Sequence, residues 1–186
     1  MQAVLEVMEA PAEVALDPER SYEFVDGQWE VKEMPGGIHG LIASRLDRRL
    51  GGFVEEKQLG ETFVETIFQI GRNERVPDLA FVAGERIPTE GAPFGKWPIP
   101  PDIAIEIISP TDGFYEVQRK VGDYLAAGVN QVWQVNPEDK TVTIYRSRTN
   151  MIVFPDDGEL ICEDLLPGFR CSLRDILKPT GQSNAH

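Results

Sequence analysis

Between Pro77 and Lys120 the chain sets an acid on each of two strand-like runs and a lysine on the helix-like run that follows. The first run, residues 76–82, carries Asp78 near its start, and the second, residues 101–108, carries Asp102 and Glu106. Side chains alternate across a strand. Asp78 therefore shares a face with Ala80 and Val82, and Asp102 shares one with Ala104 and Glu106. Antiparallel pairing with the acids on one side would set carboxylates among alanines, leaving room for an ion and a substrate. Hard cations such as Mg²⁺ or Mn²⁺ take carboxylate oxygens, and Mg²⁺ keeps several waters, which suits a site with two or three protein ligands. Such an ion with a lysine beside it is the equipment of metal-assisted phosphodiester hydrolysis.

Lys120 falls on the flank of the apolar stripe of its helix, where a lysine must reach water or meet an acid, and Glu106 is the acid at hand. His39 lies near the centre of the apolar stripe of an earlier helix and is a further catalytic candidate. Arg72 and Arg75, beside the turn between two strands, and Arg45, in the basic cluster with Arg48 and Arg49, are candidate phosphate or nucleic-acid contacts. Each of these residues also has a structural reading. Pro77-Asp78 can cap a turn, and Glu106 can sit in a buried salt bridge, because an unpaired buried carboxylate is costly. His39 can be a satisfied core histidine, and Arg45, Arg48 and Arg49 a solvated face.

These residues need elements to hold them. Residues 22–25 and 28–31 alternate around Asp26-Gly27, a hairpin signal. From Ile38 to about residue 56 the apolar period is helical, with Gly51-Gly52 expected to weaken the last turn. Residues 61–70 read as one strand, 71–74 as a turn, and 76–82 as the next strand. Residues 84–100 form a long Pro- and Gly-rich connection, either a lid over the site or a surface insertion. The strand over 102–108 precedes a helix over 113–127 that Gly128 stops. Strands follow over 131–135 and 141–146, then a small hairpin over 150–154 and 160–162, and a short helix over 172–177. The order is that of a mixed α+β fold with one sheet.

The expected domain plan is a loose arm over residues 1–20 with a helical turn near Asp17-Pro18-Glu19, a single domain over 21–178, and a flexible tail over 179–186. At 186 residues, 41% of them apolar, the chain is long enough to bury a real core. No apolar run approaches a membrane span, and the first residues lack a signal peptide's basic and apolar regions. Two cysteines, Cys162 and Cys171, form no CxxC motif, which points to a reducing, cytoplasmic setting. The net charge of −13 argues against tight, non-specific binding of duplex DNA by one isolated chain.

Pro77-Asp78, Glu106-Ile107-Ile108-Ser109-Pro110, Lys120 with Tyr124, Gly128-Val129 and the run from Val132 to Pro137 together resemble a widespread family of bacterial restriction-endonuclease-like proteins within the PD-(D/E)XK nuclease superfamily. The Asp26-Gly27 hairpin and the helix opening at His39 match as well, so the resemblance spans roughly residues 20–175. It implies an αβββαβ core, a mixed central sheet flanked by helices with an N-terminal β-hairpin. It also implies Mg²⁺- or Mn²⁺-dependent hydrolysis of DNA, with Asp78 and Glu106 as metal ligands and Lys120 as the catalytic lysine. The superfamily's acid-x-Lys motif is broken here, since Ile107 and Ile108 follow Glu106 and the lysine stands on the next helix. Three functions remain open: an endonuclease, a catalytically inactive nuclease fold serving as a binding or assembly module, and a hydrolase of another phosphoester. A homo-oligomer is expected, because a small acidic nuclease needs a second subunit to embrace a duplex.

Overall fold

The computed structural model describes residues 21–32 and 34–179. The expected N-terminal arm and, Pro179 apart, the expected tail lie outside the described residues. The elements are β1 (Ser21–Val25), β2 (Gln28–Lys32), α1 (Gly37–Lys57), β3 (Gly60–Val64), β4 (Phe68–Ile70), β5 (Asn73–Arg75) and β6 (Leu79–Ala83). A single 3-10 turn at Gly84–Arg86 precedes β7 (Ile103–Ile107), α2 (Phe114–Ala126), β8 (Gln131–Asn136), β9 (Thr141–Ser147), β10 (Asn150–Phe154), β11 (Glu159–Ile161), β12 (Arg170–Ser172) and α3 (Leu173–Leu177).

Six strands form the main sheet in the order β10-β9-β8-β7-β6-β3. Every neighbouring pair is antiparallel except β7 and β8, which α2 joins as a parallel crossover. The succession α1, β3, β6, β7, α2, β8 is the αβββαβ order, and the whole is a mixed α+β fold. Strands β6, β7 and β8 are buried on both faces, which is why they read as nearly continuous apolar runs.

The two faces have different covers. Ile42, Leu46, Leu50 and Val54 of α1 pack with α3 against Leu79, Phe81, Ile103, Ile105, Trp133 and Ile144. On the other face Val121 and Tyr124 of α2 pack on Ala80, Ala104 and Val132, beside Phe68, Ile70 and Trp97. The even-numbered positions of β6 and β7 thus point towards α2, the face predicted to hold Asp78 and Glu106. A second sheet, β2-β1-β5-β4, carries the N-terminal hairpin.

Four local expectations are corrected. The residue 61–70 run is two strands in different sheets, broken where Glu65 takes a left-handed φ of 43°. Gly51-Gly52 leaves α1 intact to Lys57. A side chain at Gly51 would place Cβ 2.9 Å from Thr62 Oγ1, so glycine lets β3 come close there. Strand β10 pairs with β9, and β11 pairs with β12, so residues 150–162 are not one hairpin. Finally, the 84–100 connection is anchored rather than a free lid. Trp97 is fully buried, stacks on Phe68 at 6.0 Å, donates its backbone N–H to Ile67 and accepts from Gln69, both at 2.8 Å.

Trp97→Ala should therefore lower the unfolding free energy by about 3–5 kcal/mol, the cost of emptying a large aromatic site. Urea denaturation checks this, and a loss within about 0.5 kcal/mol, the range of surface substitutions, would contradict it.

Candidate active site

In the β6–β7 ladder Leu79 pairs with Ile105 and Ala80 with Ala104. Carrying that register one residue outward sets Asp78 opposite Glu106. Both side chains are buried, and both line a cavity of about 210 Å³ walled by the β2 end, the start of α1 and residues 109–116. Like charges directly opposite on paired strands repel. The groups around them answer that repulsion.

Asp78 is saturated with donors. Lys32 Nζ donates to Oδ1 at 2.8 Å, while the Ile107 backbone N–H donates to Oδ2 at 2.7 Å and His39 Nε2 lies 2.9 Å from the same oxygen. Burial alone would raise its pKa, but the hydrogen bond and charge of His39 and the Lys32 ammonium outweigh it, leaving the carboxyl at about 2. Burial works against protonation of His39, yet its hydrogen bond to Asp78 and the carboxylate's charge raise its pKa. The second ring nitrogen, Nδ1, is buried without a partner among the described residues.

Glu106 is held from the α2 side. Tyr124 donates its hydroxyl to Oε1 at 2.6 Å, and Lys120 Nζ lies 3.3 Å from Oε2. Burial pushes the Glu106 carboxyl above the usual range; Lys120 opposes this, and the Asp78 and Glu23 carboxylates add to it. Lys120 in turn is held protonated, chiefly by Glu106. Burial and the Glu106 carboxylate keep Tyr124 a phenol.

The remaining sequence candidates fall elsewhere. Arg75 is corrected as a phosphate contact: its side chain is 0% exposed, donates to Glu23 Oε2 at 2.7 Å and pairs with Asp123, so no face is left for a ligand. Arg45, half-buried, donates through Nη1 to the carbonyls of Ile176 and Lys178 at 3.0 and 2.5 Å, tying α1 to α3 outside the cavity lining. Arg72 is exposed in the β4–β5 turn, outside the cavity lining. Asp102 is consumed by Arg86, Asn130 and the Ala83 N–H at the other end of β7. Lys120 touches Glu106 and lines a small side recess with Val117, Val121 and Gln134, which adjoins the main cavity at Glu106, Ile107 and Asp112.

Lys32 and Tyr124 escaped the sequence reading. The signal for Lys32 was its strand parity with Glu30, opposite the exposed Val31, but nothing local says that the hairpin folds over Asp78. Tyr124 entered beside Lys120 in the family resemblance, with no role assigned to it. Among the described residues no three His, Cys, Asp or Glu side chains stand close enough to enclose a metal. Asp78 and Glu106 nonetheless fit a hard cation that keeps its waters: they are opposed oxygen donors on a cavity wall, and Asp78 already holds an ammonium.

The αβββαβ order, with the acid pair on its central strands, is that of a restriction-endonuclease-like protein. The family model of Uma2, described as "Putative restriction endonuclease", matches residues 7–174, and the chain belongs to that family. The chain is also similar to a "putative nuclease belonging to DUF820" from Anabaena variabilis, known from a crystal structure. The TM-score is 0.77 at 26% identity, over 84% of this chain and 89% of that one. No curated protein matches the chain. Restriction-endonuclease-like families generally use divalent metals.

Because the folded pKa of Asp78 lies below its ordinary value, the stabilisation it contributes is complete above about pH 4 and is lost as pH falls towards 2. Asp78→Asn should cost about 3–5 kcal/mol at pH 7, the cost of breaking a buried pair. Urea denaturation of both proteins from pH 7 down to 3 should show the difference holding to about pH 4 and then shrinking. A gap that widens below pH 4 would contradict the assignment.

Proposed function

We propose that the protein is a divalent-metal-dependent endonuclease that hydrolyses phosphodiester bonds of DNA in the Asp78–Glu106 cavity. The observation that supports it most is the placing of Asp78, just before β6, and Glu106 of the neighbouring β7 together at the wall of an open cavity, with protonated partners beside them. Asp78 and Glu106 would hold Mg²⁺ or Mn²⁺, which would activate a water and offset charge on the phosphate. In the hydrolysis, water oxygen bonds to phosphorus and the phosphorus–oxygen bond to one nucleotide breaks. That oxygen leaves as a hydroxyl, and the other product keeps the phosphate.

The chain's own residues prepare this step. The His39 imidazole and the Ile107 N–H fix Asp78 Oδ2 in place. Lys120 and Tyr124 fix both oxygens of Glu106 and keep the carboxylate aimed along the strand face. Strands hold such groups more exactly than loops do. DNA must approach despite Glu30, Asp112 and Glu116 in the cavity lining. We therefore place a second copy beside the first, so that two chains share the duplex. Strand β10 suits that contact: it is a sheet edge, Met151, Ile152 and Val153 are exposed, and it carries no charge in a chain of −13.

A second reading, a binding or assembly module without catalysis, is favoured by Lys32, which neutralises Asp78 with no metal needed.

Asp78→Ala and Glu106→Ala should each abolish Mg²⁺- or Mn²⁺-dependent cleavage of DNA, with circular dichroism unchanged. Cleavage equal to the wild type in either variant would defeat the nuclease reading, and a wild type inert on duplex, single-stranded and branched DNA would favour the module. Light scattering should give a dimer that Ile152→Lys converts to a monomer; a monomeric wild type would remove the second copy.

A further inference from the structure

We infer that Lys32, not Lys120, is the lysine that meets the substrate phosphate, and that it waits in the site as the resident counter-cation of Asp78. This rests on the nuclease reading for its substrate, though its claim on the cation site stands apart from catalysis.

Two lysines touch the acid pair, and they differ in what they have left to give. Lys120 lies between Glu106 Oε2 at 3.3 Å and Glu23 Oε2 at 3.9 Å, on the inner flank of α2. Two carboxylates share its charge, and it lines a side recess of about 20 Å³ that has Glu106, Ile107 and Asp112 in common with the larger cavity, whereas Lys32 lines that larger cavity beside Asp78. Withdrawing Lys120 would leave the buried Glu106 carboxylate with the Tyr124 hydroxyl but without its cation, which is costly. Its geometry is that of a positioning residue.

Lys32 is placed differently. Its Nζ donates to Asp78 Oδ1 and to the Val76 carbonyl, each at 2.8 Å. An ammonium carries three donors, so among the described residues one N–H of Lys32 is unassigned, and the side chain lines the cavity. It is the last residue of β2, and residues 34–36 beyond it have no regular structure before α1. Four rotatable carbons give its charge reach without moving the strand.

A divalent cation arriving at Asp78 Oδ1 competes, charge against charge, with the Lys32 ammonium for that oxygen. The displaced ammonium stays in the cavity, held at the Val76 carbonyl, with donors free for a non-bridging phosphate oxygen. No bond of Lys32 is made or broken in the reaction, and it keeps its protons throughout. The exchange also explains how a buried Asp78 remains ionised without metal.

The test is Mn²⁺ binding by calorimetry, together with steady-state cleavage of a DNA duplex, for the wild-type chain and Lys32→Met. Removing a competing unit charge beside Asp78 should tighten Mn²⁺ binding at least about tenfold. Cleavage at saturating Mn²⁺ should nevertheless fall at least about 100-fold, as for loss of one charge-stabilising donor. Unchanged or weaker Mn²⁺ binding would overturn the counter-cation role, as would absence of binding in both proteins. Tighter binding with undiminished cleavage would overturn the phosphate contact. If Lys32→Met does not fold, Lys32→Gln keeps a donor for Asp78 and Val76 and faces the same two measurements. A wild type that binds Mn²⁺ but cleaves no DNA defeats the nuclease reading and with it the phosphate contact, while the affinity comparison still decides the counter-cation role.

Discussion

Two carboxylates facing each other across the middle of a sheet must have cations between or beside them. Asp78, the residue before β6, stands opposite Glu106 of β7 when the ladder register is carried one residue outward, and burial there weakens the screening that water would supply. The fold answers from three directions. The N-terminal hairpin brings Lys32, α1 brings His39 over the sheet end, and α2 brings Lys120 with the Tyr124 hydroxyl. Each partner belongs to a different element, so one electrostatic requirement ties the hairpin and both helices to the central strands.

The same logic reaches one layer further out. Arg75 is fully buried because Glu23 and Asp123 embrace it, and Glu23 also accepts the Val76 N–H at 2.9 Å. This network joins β1, β5 and α2 behind the site and leaves no acid there without a donor. Buried ion pairs seldom outperform well-packed apolar residues in stability. A polar assembly of this size, in a molecule with ample apolar core on both faces of its sheet, fits a role in chemistry better than one in holding the fold. The apolar layers supply rigidity, and the charged layer uses it to hold donors and acceptors in fixed positions.

Much of this was legible in the chain because it followed local periods. The Asp26-Gly27 hairpin, the helical stripe through Leu46 and Leu50, and the alternation that puts Asp78 and Glu106 on one face are short-range patterns, and the strands and helices kept them. What escaped depended on contacts distant in sequence. Lys32 reaches Asp78 across 46 positions, and Arg75 reaches Glu23 across 52, so neither partnership leaves a local mark. Arg75 looked like a surface cation because arginine usually is one. The 84–100 connection, rich in Pro and Gly, read equally as a lid or a surface insertion, whereas one buried Trp97 pins it to β4. The 61–70 run looked like one strand because its composition is uniform, and only the left-handed Glu65 divides it.

The central claim is that Asp78 and Glu106 form one cation site whose resident ammonium gives way to a divalent ion. Crystals grown with saturating Mn²⁺ and measured for anomalous scattering test this most directly. The account predicts a single strong peak between the two carboxylates, with Lys32 Nζ displaced from Asp78 Oδ1. An absent peak, with Lys32 still bound to Asp78, would contradict it.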